Sequence, residues 1–186
     1  EEAERDCFME FAIFPEDTSI PYMVLAKLIS EKTQDRLDAL VEASLVERSA
    51  SKGNVSYRLH DLCRDYVREE TKDKRGEMHM RFLNAGGDAS VDGVPLFAYR
   101  SRLNQTGRRG TATKTTGASK NDDDVDAYIA NQACWHMLQA VKCGVEEART
   151  MMIKTAFSVS WLEARARQRA LGGGVSAVLT DLVAAS

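Results

Sequence analysis

The first third of the chain repeats apolar residues at helical spacing and predicts three short helices. Their apolar positions are Cys7, Phe8, Phe11 and Ala12 in the first, Tyr22, Leu25, Leu28 and Ile29 in the second, and Leu37, Leu40, Val41 and Leu45 in the third. We expect the first helix to end at the Phe14-Pro15 pair, because proline disfavours helical angles at the residue before it. Ser19 and Pro21 are expected to open the second helix.

After the third helix the pattern changes to the two-residue period of a β-strand. Val55, Tyr57 and Leu59 alternate with polar residues, and the polar turn at 50–54 separates them from the segment 44–49. This arrangement predicts a β-hairpin. Asp61 is then expected to cap a fourth helix through its carboxylate. Three helices followed by a hairpin predict a winged-helix domain over residues 1–75.

The remainder of the chain predicts an all-α domain over residues 76–186, with Trp135 and Trp161 in its core. The expected helices cover residues 77–84, 125–141, 145–156, 161–171 and 175–183. Between the first two, six basic and no acidic residues occur from Arg100 to Lys120 in a segment of very low apolar content. Such a composition predicts a flexible basic insertion at about 100–122. The fold class is therefore mainly α.

Composition and charge exclude several classes of protein. The 186 residues are 44% hydrophobic and 28% charged, with a net charge of −3, as in ordinary globular proteins. Residues 1–75 carry a net charge of −5 and residues 76–186 a net charge of +2, so neither part predicts binding to nucleic acid through its phosphates. No apolar run approaches the ~18 residues that a membrane helix needs, and no secretory signal opens the chain.

The cysteines and the chain ends suggest the setting of the protein. Its four cysteines form no CxxC pair, which favours free thiols in a reducing, cytoplasmic compartment. Because the sequence begins with Glu1 and stops directly after an apolar run, we expect it to be a piece of a larger protein.

The sequence offers little support for catalytic or metal chemistry within these residues. Gly107–Thr116 lacks the spacing of a phosphate-binding loop. Cys134 and His136 lie two apart on a predicted helix, so their side chains point about 200° apart. Together with Cys143 they also lack a fourth ligand, which argues against a zinc site. We therefore predict no catalytic residue and no metal site.

DNA binding is a common function of winged helices, but the third helix does not favour it here. Asp35, Asp38 and Glu42 outnumber Arg36 on the element that would cross the DNA polyanion. His60 remains as a candidate residue at a helix start. From the pattern alone its side chain either bonds a nearby carbonyl or serves a binding role.

Three segments resemble the winged-helix domain of NB-ARC proteins, signalling ATPases of the STAND class that include plant disease-resistance proteins and animal apoptosome-forming factors. These segments are Phe8–Asp17, Leu40–Ser49 and Tyr57–Val67. The Phe-Pro-Glu-Asp turn and the Leu-His-Asp motif at 59–61 are the most specific elements in this order. Leu59 stands where many family members have methionine.

The second part of the chain resembles the helical domain that follows the winged helix in apoptotic protease-activating-factor-like proteins. The segments that carry this resemblance are Trp135–Leu138, Phe157–Ala166 and Val175–Leu182. It does not extend over residues 86–122.

The resemblance implies a role for each residue of the Leu-His-Asp motif. His60 corresponds to the histidine that contacts the β-phosphate of ADP in the closed state, and Asp61 to the residue that caps the next helix and sets the position of that histidine. Leu59 completes the motif. ADP or ATP would be held mainly by an upstream nucleotide-binding domain that carries the phosphate-binding loop, so the chain itself would not be an enzyme.

The family implies a nucleotide-switched mechanism for the whole protein. ADP would lock the closed state, and exchange for ATP would allow homo-oligomerisation in cell-death or defence signalling. A repeat sensor domain is expected downstream of Ser186. The alternatives are a winged-helix DNA-binding regulator and an interaction scaffold without ATPase function.

Overall fold

The computed structural model describes residues 2–29, 32–51, 54–85, 90–91, 94–95 and 120–156. The chain divides into two compact units, Glu1–Met78 and His79–Ser186. The domain boundary expected from the sequence, between residues 75 and 76, falls within the helix Arg75–Ala85. The bounds of the two domains stay a prediction.

The first unit contains short helices and a small sheet. In chain order these elements are α1 (Glu2–Met9), a 3-10 helix (Glu10–Ile13), β1 (Ile20–Pro21), α2 (Tyr22–Ile29), α3 (Thr33–Glu42), β2 (Val46–Ser51), β3 (Asn54–Leu59), α4 (Asp61–Glu70) and α5 (Arg75–Ala85), whose second half belongs to the other unit. Phe14 adopts extended angles directly after the 3-10 helix, as the following proline requires.

The three strands form an antiparallel sheet in the order β1-β3-β2. Tyr57 of β3 lies opposite Ile20 of β1, and Leu59 lies opposite Val46 of β2. The ladder includes the pairs Ala50–Val55 and Ser51–Asn54, so the expected five-residue turn at 50–54 is too long. A helical unit with a three-stranded sheet of this order is a winged helix. The predicted fold class, a winged helix followed by a helical region, is confirmed.

The core of the first unit is formed by residues from both periodicities. Its most completely buried large side chains are Phe11, Ile13, Ile20, Leu25, Leu37 and Tyr57. On α2, Val24 is buried whereas Tyr22 and Leu28 are half-buried, which rotates the buried face away from the expected one. On β3, Tyr57 and Leu59 are buried on one face, as the alternation predicts.

The described part of the second unit contains two long helices, α6 (Lys120–Lys142) and α7 (Glu146–Ala156). The short strands β4 (Ser90–Val91) and β5 (Val94–Pro95) pair antiparallel, in a segment for which no helix or strand was expected. Helix α6 begins at Lys120, so Asp122–Asp124 are helical. The end expected for the insertion, at about residue 122, therefore lies within this helix. Residues 100–119 and the helices expected over 161–171 and 175–183 lie outside the described residues.

Helix α6 buries Trp135, which was expected in the core, less completely than several other residues of the same helix. Its buried residues are Ala133, Cys134, His136, Met137 and Ala140, whereas Trp135, Leu138 and Val141 are half-buried. Trp135 was expected to be a core residue, but it is only partly buried. Trp161, the other expected core tryptophan, lies outside the described residues.

Two helices end in the same way, one with serine and one with glycine at the left-handed position. At the end of α3, Ser44 has a φ of 59°, and the Leu45 N–H donates to the Leu40 carbonyl at 3.0 Å. At the end of α6, Gly144 has a φ of 85°, and the Val145 N–H donates to Ala140 at 3.0 Å. Both ends are Schellman motifs, in which glycine is the favoured residue.

Exchanging the residue types at these two ends is expected to change stability in opposite directions. Ser44→Gly should raise the free energy of unfolding by about 1 kcal/mol, because glycine adopts positive φ without strain. Gly144→Ala should lower it by about 1 kcal/mol. A Cβ at position 144 would meet no atom within 4 Å, so the change tests the backbone alone. Urea unfolding followed by circular dichroism measures both, and changes of the same sign would contradict the assignment.

Candidate functional site

His60 lies between strand β3 and helix α4 and is the residue that caps this helix. Its φ of −66° and ψ of 135° are the extended angles of a cap, and its Nδ1 accepts a hydrogen bond from the Leu62 N–H at 3.4 Å. The His60 N–H donates to the Leu45 carbonyl at 3.1 Å, which ties the cap to the end of α3. His60 is nonetheless exposed to solvent.

The capping bond determines which nitrogen of the imidazole ring is available for a ligand. Since a backbone N–H donates to Nδ1, the neutral ring carries its proton on Nε2. The Nε2–H has no hydrogen-bond partner within the part of the chain that the structure describes. His60 therefore presents one N–H donor to solvent at the positive end of a helix, an arrangement that suits an anion.

Asp61 occupies the first helical position of α4, so the expectation that it caps this helix is wrong. Sequence preference places aspartate above histidine as a cap, but here the chain leaves the extended conformation only after His60. The Asp61 carboxylate accepts a hydrogen bond from Arg64 Nη2 at 3.2 Å. Its negative charge also lies at the positive end of the helix dipole, which stabilises the first turn.

Leu59, the first residue of the Leu-His-Asp motif, anchors the site from the inside. It is the last residue of β3, is buried, and pairs with Val46 of β2. An apolar side chain here fixes the strand end on the core, so that the next residue, His60, emerges at the surface.

An apolar groove of about 690 Å³ lies beside the start of α4. It runs between α1, the end of α3 and α4, and its walls include Phe8, Met9, Leu40, Leu45, Leu62 and Tyr66. Leu62 is 86% exposed and Tyr66 lies one turn further along the same helix, also exposed. The helix that begins at His60 therefore presents apolar side chains to solvent close to the candidate donor.

Several charged side chains of the winged helix form exposed ion pairs. Arg48 of β2 lies 3.6 Å from Asp38 of α3, and Arg58 of β3 donates to Glu47 at 2.9 Å. Basic side chains that are paired with carboxylates of their own domain contribute less to binding a polyanion such as DNA than unpaired basic side chains do.

The second unit contains a buried pair of histidines of which only one was considered from the sequence. His136 of α6 lies with its Nδ1 2.8 Å from the Nδ1 of His79 on α5, and both rings are buried. The His136 ring stacks on Phe82 with the ring centroids 3.8 Å apart, and Trp135 meets both imidazoles edge-on. Burial, together with the neighbouring His79, lowers the pKa of His136 well below its ordinary value.

The other residues considered for metal chemistry are not brought together. Cys134 is buried, Cys143 is exposed, and the four cysteines, all of them among the described residues, form no disulfide. Within residues 2–29, 32–51, 54–85 and 120–156, no group of three or more His, Cys, Asp or Glu side chains is arranged to hold a metal ion. None of the helices described is long and apolar enough to span a membrane.

The geometry defines a winged helix, and comparison with known proteins agrees with this fold. Residues 3–67 match the family model of the apoptotic protease-activating factor 1-like winged-helix domain. Over 110 residues the chain is 28% identical to apoptotic protease-activating factor 1 of Danio rerio. That alignment covers 53% of this chain and 9% of the relative, so the chain spans a small part of that protein.

These matches support an NB-ARC/STAND-family winged-helix region over residues 3–67. The resemblance inferred from the sequence is confirmed for this region, which is not itself a phosphate-binding-loop domain. The similarity associates the chain with STAND signalling proteins related to apoptosis.

Proposed function

We propose that this chain is the regulatory part of a nucleotide-switched STAND protein, in which His60 contacts the β-phosphate of ADP. The nucleotide would be bound by an upstream ATPase domain of the same cytoplasmic protein. The observation that carries this proposal is the exposed Nε2–H of His60, held outward by the bond from the Leu62 N–H to Nδ1. Leu59 and Asp61 support that donor from the strand and helix sides.

The chemistry of such a contact is simple. The imidazole donates one hydrogen bond to a phosphate oxygen, and the positive end of the α4 dipole adds a favourable electrostatic contribution. Exposed Leu62, two residues further on, provides apolar surface for a neighbouring domain. The start of α4 thus combines an anion donor with apolar contact area, as an interdomain surface over a bound nucleotide requires.

The contact would act as a lock because it exists only in the closed state. A ligand shifts a conformational equilibrium by the difference between its affinities for the two states. ADP would therefore favour the state in which His60 reaches its β-phosphate. Exchange for ATP would release the winged helix and permit homo-oligomerisation in cell-death or defence signalling, with a downstream repeat domain as the sensor.

Two substitutions of His60 separate the phosphate contact from helix capping. In the longer protein that contains this chain, His60→Ala should remove both roles. His60→Ser should keep the cap, since serine is a strong N-cap residue, but lose the reach of the imidazole to phosphate. Both variants should retain less ADP after gel filtration, by about tenfold if one hydrogen bond to a charged group is lost. Chromatography of the released nucleotide and light scattering measure retention and oligomeric state.

The control is Lys72→Ala, which changes an exposed charge beyond the far end of α4. This variant should retain as much ADP as the wild type. Normal ADP retention and an unchanged oligomeric state in His60→Ser would overturn the proposal. Absence of any bound nucleotide from the wild-type protein would instead favour the interaction scaffold.

A further inference from the structure

The carboxylate of Glu16 joins the turn after the 3-10 helix to helix α4. Its Oε1 accepts a hydrogen bond from Arg68 Nη1 at 3.2 Å and lies 3.7 Å from Arg64 Nη1. The two arginines are four residues apart and so share one face of α4. Arg64 also donates to Asp61, the residue next to His60. A chain of charges therefore runs from Glu16 through Arg64 to the first turn of the helix.

The turn that carries Glu16 is itself fixed to the fold. Phe14 is buried in the core and Asp17 adopts a positive φ of 53°. The Thr18 hydroxyl donates to the Glu16 carbonyl at 3.2 Å, and Asp17 lies 3.8 Å from Arg58 of β3. Glu16 thus stands on a support that is anchored independently of α4.

Isolated surface ion pairs contribute little, but this one differs in two respects. The side chain of Arg64 is only 12% exposed, so its interactions are less screened by solvent. It also lies between two carboxylates, those of Glu16 and Asp61, and networks of charges are more effective than single pairs. The network holds the first turn of α4, which supplies the Leu62 N–H that orients the imidazole ring of His60.

We propose that Glu16 is a positioning residue for His60, acting through Arg64 and Arg68 to hold the first turn of α4 in the orientation that points the imidazole Nε2–H outward. The inference rests on the proposed function of His60. It connects the Phe-Pro-Glu-Asp turn physically with the Leu-His-Asp motif, although some 40 residues of sequence separate the two.

The test is Glu16→Gln, which removes the charge but keeps the shape, in the full 186-residue chain. NMR should show exchange of the Cys63 amide, which bonds the His60 carbonyl at 2.9 Å, about two- to fivefold faster. The imidazole nitrogen shifts of His60 should also move toward the tautomer mixture of a neutral imidazole that makes no specific hydrogen bond. The amide of Leu25, in the core helix α2, should keep its exchange rate. A purely structural role would speed both amides alike and leave the tautomer unchanged.

Glu47→Gln is the matched control, because Glu47 is an exposed carboxylate that accepts a hydrogen bond from Arg58 on the sheet. It should alter neither the Cys63 amide nor the His60 shifts. If Glu16→Gln also leaves both unchanged, the positioning role is overturned.

Nucleotide retention separates this inference from the proposed function. In the longer protein, Glu16→Gln should reduce ADP retention two- to fivefold and should have no further effect when combined with His60→Ser. If the NMR changes occur but neither variant affects ADP, the proposed function fails and the positioning role stands. If His60→Ser loses ADP while Glu16→Gln matches the wild type in every measurement, the positioning role fails alone.

Discussion

Replacing Phe11 with alanine should remove much of the stability of the winged-helix unit and populate its unfolded state far more than in the wild type. Phe11 is 2% exposed and lies on the 3-10 helix, which packs against α1 and α4. Removing a buried phenylalanine side chain costs about 3–5 kcal/mol, through lost apolar burial and the cavity that remains. Small domains are stable by only about 5–15 kcal/mol in total, so this one change removes much of the available stability.

The thiol of Cys7 reports this unfolding locally. Cys7 is buried in the same core, and burial raises its pKa to about 12, so that it is unreactive in the folded unit. In Phe11→Ala, a thiol reagent should modify Cys7 rapidly at neutral pH, as peptide mass spectrometry would show. Leu62→Ala is the matched control, because Leu62 is apolar but exposed, and its stability should stay within about 0.5 kcal/mol of wild type. Slow labelling of Cys7 in Phe11→Ala would contradict the central position of Phe11.

The success of the sequence in predicting the winged helix rests on local regularities. Apolar residues spaced three and four apart predicted the helices of the first unit. The alternation at Val55, Tyr57 and Leu59 predicted the buried face of β3. These patterns depend on the geometry of single helices and strands. They can therefore be recognised without knowledge of the tertiary contacts between those elements. The position of His60 at a helix start was likewise a local inference.

The errors at the site have a different origin. Asp61 was expected to cap α4 because carboxylates are preferred caps, yet the turn of the backbone begins one residue earlier and His60 caps instead. A difference of one residue at a helix end is below the resolution of pattern arguments. The link between Glu16 and Arg68, 52 residues apart, had no counterpart in any local pattern.

The residues that α6 buries were not predicted from the sequence, because several of them have small side chains. Hydrophobic periodicity gives most weight to large side chains such as Trp135 and Leu138, whereas the buried face includes Ala133, His136 and Ala140. Small residues allow helices to approach closely, and tryptophan is rarely buried completely. A histidine joins that face because His79, from another helix, satisfies one of its ring nitrogens.

The histidine pair predicts that the second unit loses stability in mild acid. The pKa of folded His136 is well below 6.5 because burial disfavours its charged form and His79 adds repulsion. Unfolding returns the ring to water, so the unfolded chain binds more protons than the folded one as the pH falls below 6.5. The stability contributed by neutral His136 is therefore complete above about pH 7 and decreases as the pH falls through 6.5.

The composition of the chain makes this pH dependence easy to assign. The protein has only three histidines, His60, His79 and His136, so few side chains titrate between pH 5 and 7. The proposed measurement is urea unfolding at several pH values in a Trp161→Phe background, where the fluorescence of Trp135 reports the surroundings of the pair. The free energy of unfolding should fall from pH 7 to pH 5.

Substitution of His136 then tests whether this residue is the group responsible. His136→Gln should lower stability at pH 7 by about 1–3 kcal/mol, because it disrupts a buried hydrogen bond. It should also reduce the slope of stability against pH by up to one proton, about 1.4 kcal/mol per pH unit. An undiminished slope in His136→Gln would place the titrating group elsewhere, whereas a reduced slope would make the His79–His136 contact a stabilising element of the second unit that is complete only near neutral pH.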